Sequence, residues 1–354
     1  MSGMKSFKAA DKHVKKLGRT YEYNEALWLA LSGSGAEFSF YGKKAEIVFK
    51  GDNIAVGSVN LARIGIYVNG IRVIDDQIDQ ALKSYTVFES DIEQNVVVTI
   101  VKLSEAAMST VGILDLRVDT EGGIVPTPNK RPRIEFIGDS ITCGYGVDNN
   151  RGTDSFTTAM EDVTQAYAYL TAQALNADYS MVSYSGYGII SGYTENDTKL
   201  LTHLIPDYYE KFAKSEGRLD GTLDPLNIEW DFTRFVPDLI VVNLGTNDNS
   251  YTGDRVNRQT EFSQKYTEFL KQVRRQNAHV PILCTLGIMG DRLYPFVEQA
   301  VSRYIEDTGE DGISVMKFEV QRDEDGYGAD FHPSKLTHAK AAEKLVRQIK
   351  QILV

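Results

Sequence analysis

Residue types able to carry nucleophilic chemistry gather, in this chain of 354 residues, in four short strings. Gly138-Asp139-Ser140 follows an apolar stretch, IEFIG, and a serine at such a strand-to-helix turn exposes its hydroxyl while its backbone N–H faces a position where an oxyanion forms. Ser183-Tyr184-Ser185-Gly186-Tyr187-Gly188 ends a second apolar stretch, and its glycines let backbone N–H groups approach a reacting carbonyl. Gly245-Thr246-Asn247-Asp248 ends a third and adds an asparagine amide, a neutral donor that strengthens as negative charge develops. Asp330-Phe331-His332-Pro333 supplies an imidazole able to take a proton from a serine, with a carboxylate two residues away. Each string alone is a loop, and G-D-S reads equally as a turn with a capping serine. His13 lies in a polar stretch, His203 and His279 have no chemical neighbours, and His338 sits one turn into a helix as a packing or surface residue.

The elements that must position these strings follow from periodicity. From about Leu17 to Val118 the chain is a series of short apolar runs closed by turn residues: EFSFYG, AEIVFKG, ARIGIYVNG, IRVIDD, YTVFES, NVVVTIVKL and GILDLRV. Asn69-Gly70 between two of them suits a type I′ hairpin, which needs positive φ at both central residues. Seven or eight strands with no helix between them predict an antiparallel β-sandwich of the jelly-roll kind. Gly, Pro and charge concentrate over Thr120–Arg133, which sets the expected boundary between a domain of residues 1–125 and one of residues 126–354. Beyond it strands and helices alternate: IEFIG, a helix over VTQAYAYLTAQAL, YSMVSYSG, DLIVVNLG, a helix from Gln259 to Gln276, VPILCTLG, a helix near Pro295 to Glu306, ISVMKFEV, and a closing helix from Ser334. That rhythm predicts an α/β three-layer domain with a parallel sheet and its site at the carboxyl ends of the strands.

G-D-S, a glycine, G-x-N-D, and a late aspartate and histidine, each after its own strand and in this order, resemble the GDSL or SGNH hydrolase superfamily. FIGDSITCGYGV, VSYSGYGI, PDLIVVNLGTND and GADFHPSKLTHAKAAEKL are similar to carbohydrate esterase family two, as are LGRTYEYNEALWLALSGSGAEFSFYG and VTIVKLSEA in the first domain. The resemblance implies a flavodoxin-like hydrolase domain behind a jelly roll. It implies Ser140 as nucleophile, His332 as general base and then acid, and an oxyanion hole of the Ser140 N–H, Asn247 and Gly188, with Gly186 as the alternative glycine. The superfamily usually places its aspartate three before the histidine, and here Asp330 stands two before it. Asp330 is the expected third member of a triad, with a main-chain carbonyl as the alternative partner of the imidazole. The implied reaction is removal of acetyl groups from mannan, glucomannan or xylan through an acyl-enzyme, with no metal and no cofactor, and with kcat/KM rising through an imidazole pKa near ~6.5. Asp139, Tyr145, Tyr187 and Trp230 are the expected sugar-facing residues.

Composition excludes other classes. With 38 basic against 49 acidic residues the net charge is −11, which repels polyanions and argues against a nucleic-acid partner. No apolar run approaches the ~18 residues of a membrane helix. Cys143 and Cys284 are too few for a disulfide framework or a cysteine zinc site and are expected to be buried free thiols. The opening MSGMKSFKAADKHVKK lacks an apolar signal region, so the expectation is a cytoplasmic protein acting on acetylated oligosaccharides. Rival readings are a non-catalytic carbohydrate-binding protein on a hydrolase scaffold and a lipase, thioesterase or peptidase of the same superfamily; the oligomeric state is open.

Overall fold

Alternation of apolar and polar residues builds the two longest strands of the first half of the chain, in the computed structural model that describes residues 3–55 and 57–353. In chain order the strands are β1 (Met4–Phe7), β2 (Lys15–Leu17), β3 (Thr20–Tyr23), β4 (Ala26–Leu29), β5 (Gly35–Gly51), β6 (Arg63–Val68), β7 (Ile71–Gln77), β8 (Leu82–Lys102), β9 (Val111–Asp119) and β10 (Ile124–Pro126). EFSFYG and AEIVFKG, separate strands by pattern, run together in β5, and YTVFES and NVVVTIVKL run together in β8, because their ladder continues through bulges at Gly42/Lys44 and Ala45/Glu46. All pairings are antiparallel, in the order β3-β4-β9-β5-β8-β6-β7, with β1 on β9 and with β2 and β10 on β5. The first half of β5 pairs with β2 and β10 opposite β8, while its second half pairs with β9, so the bulged sheet curls into the expected jelly-roll layers. Phe38, Phe40, Ile47, Phe49, Val98 and Ile100 fill the core between them. At the Asn69-Gly70 hairpin both residues have positive φ, as the turn type demands.

The unit containing this sheet runs up to Asn129 and also takes in Thr157–Glu161 and Lys211–Trp230. The second unit comprises Lys130–Phe156, Asp162–Glu210 and the chain from Asp231. Its strands are β11 (Arg133–Gly138), β12 (Asp178–Ser183), β13 (Leu239–Asn243), β14 (Ile282–Ile288) and β15 (Ile313–Val320), all parallel in the order β12-β11-β13-β14-β15. β12, β13 and β14 are buried along their whole length, as strands of a parallel sheet covered on both faces must be. The helices are α1 (Ser140–Cys143), α2 (Tyr167–Ala174), α3 (Ile205–Tyr208), α4 (Thr246–Thr252), α5 (Val256–Gln276), α6 (Tyr294–Thr308) and α7 (Lys335–Ile352). α2 packs with α7 and α5 with α6, the arrangement expected when right-handed crossovers reverse direction at β11 and place helices on both faces. α5 turns Phe262, Tyr266, Phe269, Leu270 and Val273 inward, a spacing of three, four and seven that forms one apolar stripe. Ser334 caps α7 by accepting the Thr337 N–H. The reversal at β11 opens a crevice at its carboxyl end, where ligands of open parallel sheets bind.

Candidate active site

Ser140 is the first residue of α1, directly after β11, and it sits in that crevice. Asp139 caps the helix, its carboxylate accepting the Ile141 N–H at 3.0 Å. As the first helical residue Ser140 has no intrahelical partner for its own N–H. Its Oγ lies 2.9 Å from His332 Nε2, so residues 192 positions apart in the chain form one hydrogen-bonded pair. His332 follows a tight turn in which Asp330 and Phe331 both take positive φ, 49° and 55°. Aspartate tolerates that left-handed region better than most residues, and here it turns the Asp330 main-chain carbonyl onto His332 Nδ1 at 3.2 Å.

The expected Asp330 carboxylate–imidazole contact is therefore replaced by the alternative, the carbonyl. The carboxylate itself accepts the Tyr145 hydroxyl at 2.9 Å and the Phe156 N–H at 3.2 Å. A carbonyl on Nδ1 fixes the tautomer with the proton there and leaves Nε2 free to accept from Ser140. Loss of water around the half-buried imidazole pulls its pKa down to about 4, against the opposing pull of the Asp330 carbonyl and charge. That is well below the ordinary value near 6.5 assumed from sequence.

The oxyanion side is built from the loops after β12 and β13. Asn247, in the first turn of α4, is buried, and its Nδ2 donates to the Tyr187 carbonyl at 2.8 Å and faces Asp139 Oδ2 at 3.5 Å. Of the two glycines, Gly188 does not fit the donor role: its N–H already donates to the His203 carbonyl at 3.1 Å. A Cβ there would lie 2.2 Å from the Ser191 carbonyl oxygen and 2.6 Å from Asp248 Oδ2, so glycine is required for close packing. Gly186, with φ of +81° and nothing within 4 Å of a built Cβ, is the open position of the two.

Asp248, quoted in the G-T-N-D string without a role, ties these loops together. Its buried carboxylate accepts the successive N–H groups of Ile189, Ile190 and Ser191 at 2.7–3.2 Å. Burial pushes its pKa up to about 6 in spite of those donors, and burial with Asp248 nearby pushes Asp139 up to about 7. The aspartate of such a string was its only sequence signal; Phe156, which stacks beside Tyr145, had none.

The sugar-facing expectations fare differently. Asp139 is fully buried and caps α1, so its carboxylate faces inward. Tyr187 is buried among Tyr184, Tyr208 and His203, and it offers the site its carbonyl, not its ring. Trp230 belongs to the first unit, where the Arg19 guanidinium lies 5.2 Å over its ring. Tyr145 is half-buried, with its ring between Phe156 and His332. His338 is buried and accepts the Tyr167 N–H, the packing role expected of it, and both cysteines are buried free thiols.

Comparison with known proteins gives a consistent set of likenesses. Residues 136–340 match the GDSL-like lipase/acylhydrolase family, and residues 16–128 match the carbohydrate esterase 2 N-terminal domain. A cellulase/esterase, CelE, from Acetivibrio thermocellus is 30% identical over 92% of this chain, which spans only 37% of that protein. An acetylxylan esterase / glucomannan deacetylase from Cellvibrio japonicus is 25% identical over 100% of this chain and 92% of its own length. Among solved structures, a family two carbohydrate esterase from Clostridium thermocellum in complex with cellohexaose superposes with a TM-score of 0.82 at 28% identity, covering 96% of this chain and 99% of that one. The acetyl xylan esterase Est2A from Butyrivibrio proteoclasticus shares the fold, with a TM-score of 0.89 at 24% identity over 99% and 98% of the two chains.

Proposed function

The chain belongs to the GDSL-like lipase/acylhydrolase family, with the N-terminal domain of carbohydrate esterase family two ahead of it, and on that premise we propose that it is a serine-dependent O-acetyl esterase acting on acetylated xylan, mannan or glucomannan oligosaccharides. The observation that carries the proposal is the 2.9 Å contact between Ser140 Oγ and His332 Nε2 at the end of β11. In the proposed reaction Ser140 attacks the acetyl carbonyl while His332 Nε2 takes its proton. The imidazolium that forms is held at Nδ1 by the Asp330 carbonyl, a neutral acceptor in place of a carboxylate. Negative charge developing on the carbonyl oxygen is met by the N–H groups of Ser140 and Gly186 and by the Asn247 amide, acting as preorganised donors. His332 returns the proton to the departing sugar hydroxyl, and water, activated by the same nitrogen, frees acetate from Ser140.

The likeness to a glucomannan deacetylase along nearly the full length of both chains supports acetylated hemicellulose as the substrate class. Acetate release from acetylated xylan and glucomannan oligosaccharides, followed position by position by NMR, tests it against esters of longer acyl chains. Ser140→Ala should remove turnover by on the order of 10⁴-fold or more with the fold intact. Faster release of long acyl chains than of acetate would move the protein to the lipase or thioesterase reading.

A further inference from the structure

We propose that Tyr145 and Asp330 act as a clamp on the general base, positioning residues that hold the His332 imidazole from its face and at Nδ1, and that neither binds sugar nor serves as a charged triad member. The inference deepens the proposed function and rests on Ser140 and His332 as the reacting pair.

The imidazole is constrained in its own plane by two contacts, Ser140 Oγ at Nε2 and the Asp330 carbonyl at Nδ1. Rotation about those contacts is stopped from one face by the Tyr145 ring, whose centroid lies 4.1 Å from that of the imidazole at 31°. Tyr145 is itself held on its other face by Phe156, parallel to within 14° at 3.7 Å. Its hydroxyl donates to Asp330 Oδ2 at 2.9 Å, the same oxygen that accepts the Phe156 N–H at 3.2 Å. One residue thus supports the base twice: its carbonyl holds Nδ1, and its carboxylate locks the ring stacked on the imidazole face. With both faces of its ring covered in this way, Tyr145 has no open face to offer a pyranose.

The stack has a chemical consequence beyond position. The face of a tyrosine ring attracts cations, so Tyr145 favours the imidazolium that exists only after proton transfer, while its bulk keeps water off the neutral imidazole beforehand. Such an interaction strengthens toward the transition state and acts on kcat. The titratable groups that act on the imidazole among the described residues are Asp330 and the buried His338. A carboxylate committed to a hydroxyl and an amide N–H needs its acceptor oxygen more than its charge, so asparagine is an adequate substitute and glycine, which keeps the positive φ, is not.

The test uses an aryl acetate, which carries no sugar, beside an acetylated xylo-oligosaccharide. Tyr145→Leu should lower kcat on both substrates by about 10²-fold with KM little changed, as a misplaced base does, and should move the acid limb of kcat/KM to lower pH, because leucine still keeps water off the imidazole but no longer attracts the imidazolium. Tyr145→Phe, which keeps the stack and loses the hydroxyl, should fall between Tyr145→Leu and the parent. Asp330→Asn should retain most activity, and Asp330→Gly should lose on the order of tenfold. In the inactive Ser140→Ala background, NMR titration of the imidazole reads the same downward shift on adding Tyr145→Leu, independently of turnover. A Tyr145→Leu effect confined to KM for the oligosaccharide would overturn the clamp in favour of a sugar platform. A loss near 10⁴-fold in Asp330→Asn would overturn it in favour of a charged triad. If Ser140→Ala itself retains turnover, the proposed function fails first, and that outcome is distinct from either.

Discussion

Gly188 and Gly186, two residues apart in one loop, should respond to the same substitution in opposite ways. Adding a methyl group at Gly188 places it 2.2 Å from the Ser191 carbonyl oxygen and 2.6 Å from Asp248 Oδ2, where ordinary contact begins at 3.4 Å. The first neighbour is backbone, so relief comes by pushing the turn away from Asp248. That movement breaks a fully buried carboxylate away from the Ile189, Ile190 and Ser191 amides. A hydrogen bond to a charged group is worth about 1.5–3 kcal/mol, and a buried charge stripped of its partners costs about 3–5 kcal/mol. Gly188→Ala should therefore destabilise the second unit by about 3–5 kcal/mol, a drop in melting temperature on the order of 10 °C. At Gly186 nothing lies within 4 Å, and the cost is the left-handed strain alone, about 1–2 kcal/mol. Gly186→Ala should melt within a few degrees of the parent but lose kcat, because the strained loop carries the amide assigned to the oxyanion. Circular-dichroism melts and kcat on an aryl acetate at 20 °C, for both variants, measure the contrast. A Gly188→Ala protein that melts with the parent would refute the reasoning, and so would a Gly186→Ala protein with unchanged kcat.

Further outcomes follow from the site's donors and its buried titratable groups. Asn247→Ala should lower kcat by roughly 10²–10³-fold with KM nearly constant, and should cost about 1 kcal/mol of stability through the lost bond to the Tyr187 carbonyl. The imidazole must be neutral to accept a proton, and its pKa is drawn down to about 4, so kcat/KM should hold from neutral pH to well below 6 and fall only as pH approaches that value. An acid limb at the ordinary histidine pKa in the parent protein would contradict this. Asp139 has a folded pKa raised to about 7, so the native state binds more protons than the unfolded chain between 3.8 and that value, and stability declines as pH rises through the window. Asp139→Asn should flatten the melting temperature between pH 5 and 8, read by melts at each pH. Acetate release should be unchanged by prior treatment with a chelator, since every proposed step is assigned to protein side chains and backbone donors.

The order of elements was legible because periodicity is a local property. Short, mainly apolar runs separated β13 and β14 from the stripe-bearing α5, and the chemistry-bearing residues stood at the strand ends where a parallel sheet puts them. What stayed hidden depends on backbone direction and long-range closure. No feature of D-F-H-P spacing distinguishes a carboxylate on the imidazole from a carbonyl; the choice is made by the positive φ of Asp330. The two glycines of S-G-Y-G were equivalent in sequence, and only the approach of Asp248 and His203 separates them. Tyr187 and Asp139 were residues of suitable type in suitable places whose side chains turn inward. Strand merging in β5 and β8 was missed because bulges break the alternation without breaking the ladder.

The two later segments that belong to the first unit impose an order on synthesis. Within that unit the Arg19 guanidinium donates to the Lys211 carbonyl at 2.7 Å, the rings of Tyr21 and Phe212 meet at 5.7 Å, Lys50 pairs with Asp220, and Arg63 donates to the Glu161 carbonyl at 3.1 Å. On a ribosome the sheet strands emerge complete long before residues 211–230 do, so buried Arg19 waits for the Lys211 carbonyl until about three fifths of the chain has been made. A nascent first unit therefore spends that interval unfinished, at the stage when exposed apolar surface is most prone to aggregate. Cutting the gene at the Pro-rich boundary would make that interval permanent, which marks the 120–133 stretch as a poor place to shuffle these units between related chains.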